Sequence, residues 1–354
     1  MQEEVDIKFM RRCLELAVKA EGLTYPNPMV GSVIVHDGKI IGEGYHLRAG
    51  GPHAEVNAIN SVPVQELLKE STLFVNLEPC SHTGKTPPCA DFIISHKIPR
   101  VVIGTSDTSD KVSGKGIARL KEAGCEVTAG ILEKECRYLN RRFFTYHEKR
   151  RPYIILKWAE SSDGFIDIIR DDSQSIGPTW ITGKPERILV HRWRSSEQAI
   201  LAGAETIRKD NPGLNVREWE GNDPLKLILS SSGKLDDDLT IYKTGGRVII
   251  FTNDRNAAFP NAETILLDKN IHSGNQILNY LFEIGIQSII IEGGAQVLDH
   301  FISEGLWDEA RIFSGIKKFH SGIKAPVIKG IIYSTKGFSY SNLKTVYKSE
   351  KQLV

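Results

Sequence analysis

Two stretches decide the interpretation of this chain: Pro52-His53-Ala54-Glu55-Val56 and Glu78-Pro79-Cys80-Ser81-His82-Thr83-Gly84-Lys85-Thr86-Pro87-Pro88-Cys89. The imidazole of His53 and the thiolates of Cys80 and Cys89 make a three-ligand zinc site with a fourth position open for water. A bound zinc ion lowers the pKa of such a water to about 7. Glu55, two residues after the histidine, is then free to act as a general acid and base without binding the metal.

This layout predicts a zinc deaminase, in which hydroxide attacks a ring carbon and the glutamate carries protons to the leaving amine. Two alternatives stay open from the residues alone. The cysteines would be plain buried thiols beside a surface histidine, although buried thiols rarely come with such a histidine and glutamate. A purely structural zinc site would need a fourth protein ligand, which His82 could supply.

Length and composition exclude several classes of protein. The chain has 354 residues, which suggests two domains. A net charge of +1 creates no strong field for nucleic acid or membrane surfaces. Five cysteines indicate a reducing compartment, the N-terminus has no apolar signal core, and no apolar run approaches a membrane span. We therefore expect a cytoplasmic protein that binds neither nucleic acid nor membrane.

The first half of the chain alternates helix and strand patterns around the two stretches. A hairpin is predicted about Asp37-Gly38, and both metal-bearing stretches are predicted to lie at helix starts, where the dipole favours thiolate. Such alternation is typical of helices packed on a sheet. The predicted helices are 6–21, 53–61, a helix from Pro88 and 116–123, and the predicted strands are 30–36, 39–45, 73–77, 100–104 and 126–128.

A charged, proline-ended stretch at 147–152 is the predicted domain boundary, which gives domains of 1–148 and 152–354. The second half alternates again, which predicts a second α/β domain. Its predicted strands are 153–157, 198–201, 225–229, 247–251, 263–267 and 288–291, and its predicted helices are 185–194, 276–284 and 295–304.

A second candidate site follows the strand 288–291, which runs into Glu292-Gly293-Gly294 and then a helix. Glycines at such a turn let a phosphate approach backbone N–H groups at the positive end of the helix. Any tight strand-to-helix turn carries glycine too, and this one is not the Gly-x-Gly-x-x-Gly dinucleotide fingerprint. Arg194 and Arg217 would hold a substrate phosphate by bidentate contacts, or they are ordinary surface arginines.

The whole chain resembles the bifunctional riboflavin-biosynthesis deaminase–reductase family. The gap between Cys80 and Cys89 is distinctive, because cytidine and transfer-RNA deaminases usually carry Cys-x-x-Cys. The resemblance implies a cytidine-deaminase-like three-layer αβα domain with Glu55 as the proton carrier, and substrate contacts at Asn27, His46 and Lys85. The motifs that carry it are Asn27-Pro28-x-Val30-Gly31, Gly42-x-Gly44-Tyr45-His46, His53-Ala54-Glu55, Glu78-Pro79-Cys80-Ser81-His82 and Gly84-x-Thr86-Pro87-Pro88-Cys89.

The second half is similar to the family's reductase domain, which has a dihydrofolate-reductase-like α/β fold. Its motifs are Lys157, Asp163-Gly164, Trp180-Ile181-Thr182-Gly183, Asp210-Asn211-Pro212-x-Leu214-x-Val216-Arg217 and Glu292-Gly293-Gly294. The resemblance implies substrate contacts at Arg194, Leu214, Arg217 and Glu292. It implies NADPH contacts at Ala159, Trp180, Thr206, Asp210, Ser231, Gly294, Ala295, Gln296 and Val297.

By this resemblance the substrate is a phosphorylated pyrimidine, 2,5-diamino-6-ribosylamino-pyrimidinone 5′-phosphate. The first domain removes its 2-amino group with Zn²⁺, and the second reduces the ribosyl group to ribityl with NADPH. No proton donor for the reduction is identifiable from the sequence. We also expect a homo-oligomer, a dimer or larger.

The sequence departs from the family pattern near the expected reductase contacts, at Glu160-Ser161-Ser162, Phe165-Ile166-Asp167, the longer Ile168–Thr179 with its Pro178, and Ser230. These departures keep open one rival, a zinc nucleotide deaminase with a catalytically silent second domain. Another rival, a nucleic-acid-editing or RNA-binding module, is disfavoured by the near-zero net charge and by the lack of an aromatic-basic cluster.

Overall fold

The computed structural model describes residues 2–81, 87–108, 114–170, 176–231 and 235–349. Lys85 and His82 therefore lie outside the described residues. The chain divides into two compact units between Arg150 and Arg151, inside the charged stretch 147–152. Among the described residues, none of the helices has the length and apolar character that crossing a membrane requires.

The first unit is built on a five-stranded sheet of order β2-β1-β3-β4-β5. Strand β1 pairs antiparallel with β2 through the predicted hairpin and antiparallel with β3, whereas β3, β4 and β5 run parallel. The strands are β1 Gly31–His36, β2 Lys39–Tyr45, β3 Thr72–Leu77, β4 Arg100–Thr105 and β5 Glu126–Ala129. The helices are α1 Gln2–Ala17, α2 Ala54–Asn60, α3 Cys89–Ser95, α4 Lys115–Glu122, α5 Glu133–Leu139 and α6 Arg141–Lys149, with short 3₁₀ helices at Val18–Ala20 and Gln65–Glu70.

Helices cover both faces of this sheet, because successive strand side chains point to opposite faces. One face buries residues of β3 and β4 against α2, α3 and α4. The other face buries their immediate neighbours, such as Phe74 and Val102, against α1 and α5. The expected three-layer αβα domain is confirmed.

The second unit contains a nine-stranded sheet of order β11-β10-β9-β8-β12-β6-β13-β16-β15. The run from β11 to β13 is parallel throughout, and β16 pairs antiparallel with β13 and with β15. The strands are β6 Tyr153–Glu160, β7 Phe165–Asp167, β8 Ala199–Gly203, β9 Leu225–Ser230, β10 Val248–Thr252, β11 Glu263–Leu266, β12 Ser288–Ile291, β13 Glu309–Gly315, β14 Ile323–Lys324, β15 Ile331–Gly337 and β16 Ser341–Tyr347, with β7 and β14 forming a separate pair.

Two apolar cores enclose the second sheet. One core packs α10 and α11 on the sheet, and the other packs α8 and α9. The helices are α7 Lys184–Ser196, α8 Ala204–Asp210, α9 Thr240–Lys243, α10 Ser273–Glu283 and α11 Ala295–Ser303. The mainly parallel sheet with helices on both faces confirms the expected α/β class of this unit.

The strands β7 and β13 to β16 and the helices α5, α6, α8 and α9 are absent from the sequence expectations. Strand β13 carries Glu309 and Arg311, which are both buried and joined by a hydrogen bond of 2.6 Å. These charged residues interrupt the apolar pattern that would otherwise predict a buried central strand. Strand β15 is exposed along nearly its whole length and carries no apolar alternation. The first helix begins at Gln2 rather than residue 6, with Glu3 and Glu4 favourably placed in its first turn.

Candidate functional site

The structure brings the three candidate zinc ligands of the first unit together. The Nδ1 atom of His53 lies 3.2 Å from Sγ of Cys89 and 3.6 Å from Sγ of Cys80. All three ligand atoms lie within 4.8 Å of one another. Ligands around a tetrahedral zinc ion, with bonds of about 2.0–2.3 Å, are separated by about 3.6 Å. One imidazole and two sulfurs at these separations fit a zinc ion.

Three different elements deliver these ligands. His53 directly precedes α2, Cys80 follows β3, and Cys89 is the first residue of α3. Helix α2 can lie directly on β2 because Gly44 has no side chain: a Cβ there would lie 2.4 Å from the backbone N of Ala58. This close approach brings His53 next to the end of β2.

The site favours the thiolate of Cys80. Hydrogen bonds from the Cys89 side chain and from His53 lower the pKa of Cys80, against the opposing effect of burial. The backbone N–H of Cys89 also donates to Cys80 Sγ over 3.3 Å. Because the thiolate is the form that binds metals, the site is prepared for a cation.

Glu55 lies in the first turn of α2 and is only 3% exposed. Burial raises the pKa of its carboxyl to about 7, and the nearby His53 offsets this in part. It is not one of the three clustered ligands among the described residues. A carboxyl with a pKa near neutrality can both take and release a proton, as general acid–base chemistry requires.

Asn27 and His46 meet beside this cluster. His46 Nδ1 lies 3.0 Å from the carbonyl oxygen of Pro52, so this nitrogen carries the proton and donates. His46 Nε2 therefore accepts from the side-chain amide of Asn27, also over 3.0 Å. Burial lowers the pKa of His46, which keeps the ring neutral, and its centroid lies 5.5 Å from that of His53. These hydrogen bonds fix His46 in one tautomer, and His46 and Asn27 together form a polar wall of the zinc site.

Sequence reasoning missed the role of Glu78. Its buried carboxylate accepts hydrogen bonds from the backbone N–H groups of Asp107, Gly114, Gly116 and Ile117, at 2.9–3.2 Å. The carboxylate thereby ties the end of β3 to the start of α4 and holds the chain two residues before Cys80. The sequence does contain a signal for this role. An acidic residue that directly follows a buried strand lies where burial is expected, and a buried carboxylate needs partners.

The second unit contains a cavity of about 770 Å³ at the carboxyl ends of β6, β8, β9 and β12. Ligands of parallel α/β sheets bind at this edge. The helix α11 begins at the cavity, after the predicted glycine turn, with Gly294 at a φ of +64°. The sequence-predicted residues that line the cavity are Ala159, Thr206, Asp210, Ser231, Glu292, Gly294, Ala295, Gln296 and Val297.

Four other predicted contacts lie outside the described lining. The ring of Trp180 is covered by the guanidinium of Arg187 at 4.5 Å, and Leu214 packs in the core beside α8 and α9. Arg217 donates to the side chain of Asn215 over 2.7 Å. Arg194 lies behind Glu292 and makes two hydrogen bonds to its carboxylate, of 2.8 and 2.9 Å.

Lys157 is the cavity residue whose role the sequence does not reveal. Its Nζ lies 3.6 Å from Glu292 Oε2, and burial lowers its pKa. Although burial opposes ionisation of Glu292, the charges of Arg194 and Lys157 hold its pKa at about 2. The cavity floor thus combines one fixed carboxylate with an ammonium group whose proton is more easily released than usual.

Described residues on either side of 171–175, in the segment that departs from the family pattern, line the same cavity. Ile166, Asp167, Pro178 and Thr179 all line it. Arg170 fixes this wall, since its guanidinium hydrogen-bonds Asp167, the hydroxyl of Thr179 and the carbonyl oxygens of Gly177 and Lys209, and it pairs with Asp210 at 2.9 Å. Among the departures, Ile166, Asp167 and Pro178 therefore contribute directly to the cavity.

Two family models match the chain. Residues 3–105 match the cytidine and deoxycytidylate deaminase zinc-binding region, and residues 152–316 match the RibD C-terminal domain. The chain is 39% identical over 329 residues to the riboflavin biosynthesis protein RibD of Aquifex aeolicus, covering 91% of this chain and 90% of that protein. It is 35% identical over 332 residues to RibD of Escherichia coli, covering 88% and 87%.

Solved structures agree with these matches. A diaminohydroxyphosphoribosylaminopyrimidine deaminase/5-amino-6-(5-phosphoribosylamino)uracil reductase from Thermotoga maritima superposes with a TM-score of 0.89, at 38% identity, over 98% of this chain and 100% of that one. RibD of Acinetobacter baumannii gives a TM-score of 0.86 at 30% identity, over 98% and 99%.

A zinc-type deaminase site in one unit and a reductase fold with a cavity of about 770 Å³ in the other define a two-domain deaminase–reductase. The chain belongs to the RibD family of bifunctional riboflavin-biosynthesis enzymes. This membership favours the deaminase–reductase over both rival interpretations, the silent second domain and the nucleic-acid module.

Proposed function

We propose that residues 1–148 deaminate 2,5-diamino-6-ribosylamino-pyrimidinone 5′-phosphate, and that residues 152–354 reduce the ribosyl group of the product with NADPH. The observation that supports the first step most strongly is the buried Glu55 beside the His53, Cys80 and Cys89 cluster. The second step is supported by the cavity at the carboxyl ends of the parallel strands. A cytoplasmic location and a homo-oligomer stay predictions from the sequence.

In the deaminase unit, His53, Cys80 and Cys89 would hold zinc, which when bound lowers the pKa of a water and so supplies the nucleophile. Glu55 takes up the proton that this water releases and passes it to the ring nitrogen. It then takes the second proton from the hydroxyl group now bonded to the ring carbon and delivers it to the leaving amine, which departs as ammonia. Its pKa of about 7 suits both transfers. Asn27 and His46 orient the substrate through the polar wall that they form, and Lys85 remains the predicted phosphate contact.

In the reductase unit, the turn at Gly294 and the start of α11 would hold the cofactor phosphates on backbone N–H groups. Ala159, Thr206, Asp210 and Ser231 supply the remaining lining on the cofactor side. Arg194, Leu214, Arg217 and Trp180 remain predicted contacts. NADPH, when bound, supplies the hydride.

We assign proton delivery in the reduction to Lys157. As hydride adds to C1′ of the ribosyl group, the bond from C1′ to the ring oxygen breaks, and that oxygen must take up a proton. Lys157 is a buried ammonium inside the cavity with a lowered pKa, and Glu292 fixes its position. It therefore supplies the acid that this bond cleavage needs.

The direct test gives the purified protein the diaminopyrimidine phosphate with and without NADPH, and identifies the products by mass. Without NADPH we expect release of ammonia and the aminouracil product. With NADPH we expect the further reduced ribityl product. Ammonia release without any NADPH consumption would instead support a deaminase with a silent second domain.

Replacing Lys157 by methionine should lower NADPH oxidation about 10²-fold or more, the scale of a lost general acid. Steady-state rates with the aminouracil phosphate measure the effect, and NADPH binding by fluorescence should stay close to normal. Lys226→Met is the matched control, because Lys226 is also a buried lysine of this unit but bonds Thr244 and the carbonyl of Gly245. Equal losses in both variants would contradict the assignment.

Replacing Gly294 by valine should weaken NADPH binding about tenfold or more, a cost of about 1.4 kcal/mol. The residue has a φ of +64°, which disfavours a β-branched side chain, and its Cβ would lie 3.2 Å from the hydroxyl of Thr206 in the cavity. Gly285→Val imposes similar strain, at a φ of +80° with open space around the Cβ, away from the cavity. Fluorescence titration should show weaker NADPH binding by Gly294→Val than by Gly285→Val. Equal affinities would argue against cofactor binding at the Gly294 turn.

A further inference from the structure

Two buried carboxamides hold the backbone of Met29 and Gly31 next to the deaminase site. Asn140 accepts from the backbone N–H of Met29 over 2.8 Å and donates to its carbonyl oxygen over 2.9 Å. Asn76 donates to the same carbonyl oxygen over 3.1 Å and accepts from the N–H of Gly31 over 2.7 Å. The two side chains are 3% and 0% exposed, respectively.

This clamped backbone, from Met29 to Gly31, begins two residues after Asn27, whose side chain bonds His46. The same segment is tied to His46 a second time, because the N–H of His46 donates to the carbonyl oxygen of Val30 over 2.9 Å. Asn27 is thus held between its own amide contact and a backbone that Asn140 and Asn76 fix. The position of Asn27 depends on both.

Asn140 comes from a distant part of the chain. It lies between α5 and α6, 111 residues after Met29 and beyond the matched zinc-binding region, which ends at residue 105. Asn76 comes from the middle of β3. Neither side chain has a hydrogen bond to His53, Cys80, Cys89 or Glu55 among the described contacts. Their hydrogen bonds go instead to the backbone of Met29 and Gly31, in the segment that follows Asn27.

Burial makes this clamp hard to replace. A peptide group that loses its partners inside a protein must either stay unsatisfied or move until water reaches it. Asn140 satisfies both the N–H and the carbonyl oxygen of Met29, which no side chain with only one kind of hydrogen-bonding atom can do. Without it, the segment from Asn27 to Val30 should shift or become mobile.

We propose that Asn140 and Asn76 are positioning residues of the deaminase, which act by holding Asn27 against His46. This inference rests on the proposed substrate contact of Asn27. It extends the deaminase site to a residue at the α5–α6 junction, outside the region that carries the zinc motif.

A double-mutant cycle in the full-length enzyme tests the clamp. Asn140→Ala should raise the KM for the diaminopyrimidine phosphate about tenfold, with kcat changed far less and with zinc content unchanged. Asn27→Ala should raise the KM at least as much. In the double variant, the Asn140 change should add almost nothing, because the side chain that it positions is gone.

Asn76→Ala removes one donor to the Met29 carbonyl oxygen and the acceptor for the Gly31 N–H but leaves Met29 bonded to Asn140, so a smaller KM increase is expected, and the same cycle is run with it where Asn140→Ala fails to fold. Ser71→Ala is the matched control, since its buried hydroxyl bonds the carbonyl oxygen of Leu67 and neither residue belongs to the clamp. It should lower the melting temperature without changing the KM. If the effects of the Asn27 and Asn140 changes on the KM are additive, the proposed clamp is wrong. If Asn27→Ala leaves the KM unchanged, the substrate contact on which the clamp rests is wrong.

Discussion

Replacing Glu55 by glutamine is expected to lower the rate of deamination by about 10²–10⁴-fold, the usual contribution of a general acid–base group. Glutamine has nearly the same shape and fills the same buried place in the first turn of α2, but it cannot take up or release a proton. The ligands His53, Cys80 and Cys89 are unchanged, so the variant should keep zinc. Ammonia release measures the rate, and elemental analysis measures the metal.

Two controls make this result specific. Glu66→Gln changes an exposed acid of the same unit and should leave deamination unaffected. Reduction of the deaminated intermediate by the Glu55→Gln variant should proceed at the normal rate, because the cavity lies in the other unit. Ammonia release near the normal rate would show that another group carries the proton.

The zinc cluster was predictable because the types of its residues and their spacing in the sequence indicate its chemistry. A histidine and two cysteines are scarce residues, and each lies directly after a strand or at a helix start that a short pattern reveals. The prediction of Glu55 as the proton carrier needs no long-range information either, because Glu55 is two residues from His53 at the same helix start. For these residues local sequence is sufficient.

The supporting residues were not predictable for the opposite reason. Asn140 is an ordinary polar residue whose partner is 111 positions away, and its role exists only after α5 and α6 have folded onto the unit. Glu78 looks like an exposed acid until four backbone N–H groups surround it. Such roles depend on tertiary contacts, which have no periodic signature in the sequence.

The second unit shows the same contrast between pattern and packing. Its apolar parallel strands and the glycine turn at Gly294 were predicted, because buried strands read as continuous apolar runs. Strand β13 was missed, since its buried Glu309 and Arg311 compensate each other only in the folded state. Lys157 was part of a recognised motif, but its chemical role depends on Glu292 and Arg194, which other elements supply.

Replacing Cys89 by serine should remove most of the bound zinc and with it nearly all deamination. A hydroxyl is a poor zinc ligand at neutral pH, whereas the sulfur of Cys89 belongs to a cluster in which His53 Nδ1 is only 3.2 Å away. Cys125→Ser is the matched control, because that thiol lies outside the cluster and bonds the carbonyl oxygen of Ile98. Elemental analysis should find full zinc in the control and little in Cys89→Ser. Full zinc in Cys89→Ser would require a replacement ligand, and it would reopen the alternative in which His82 completes a structural site.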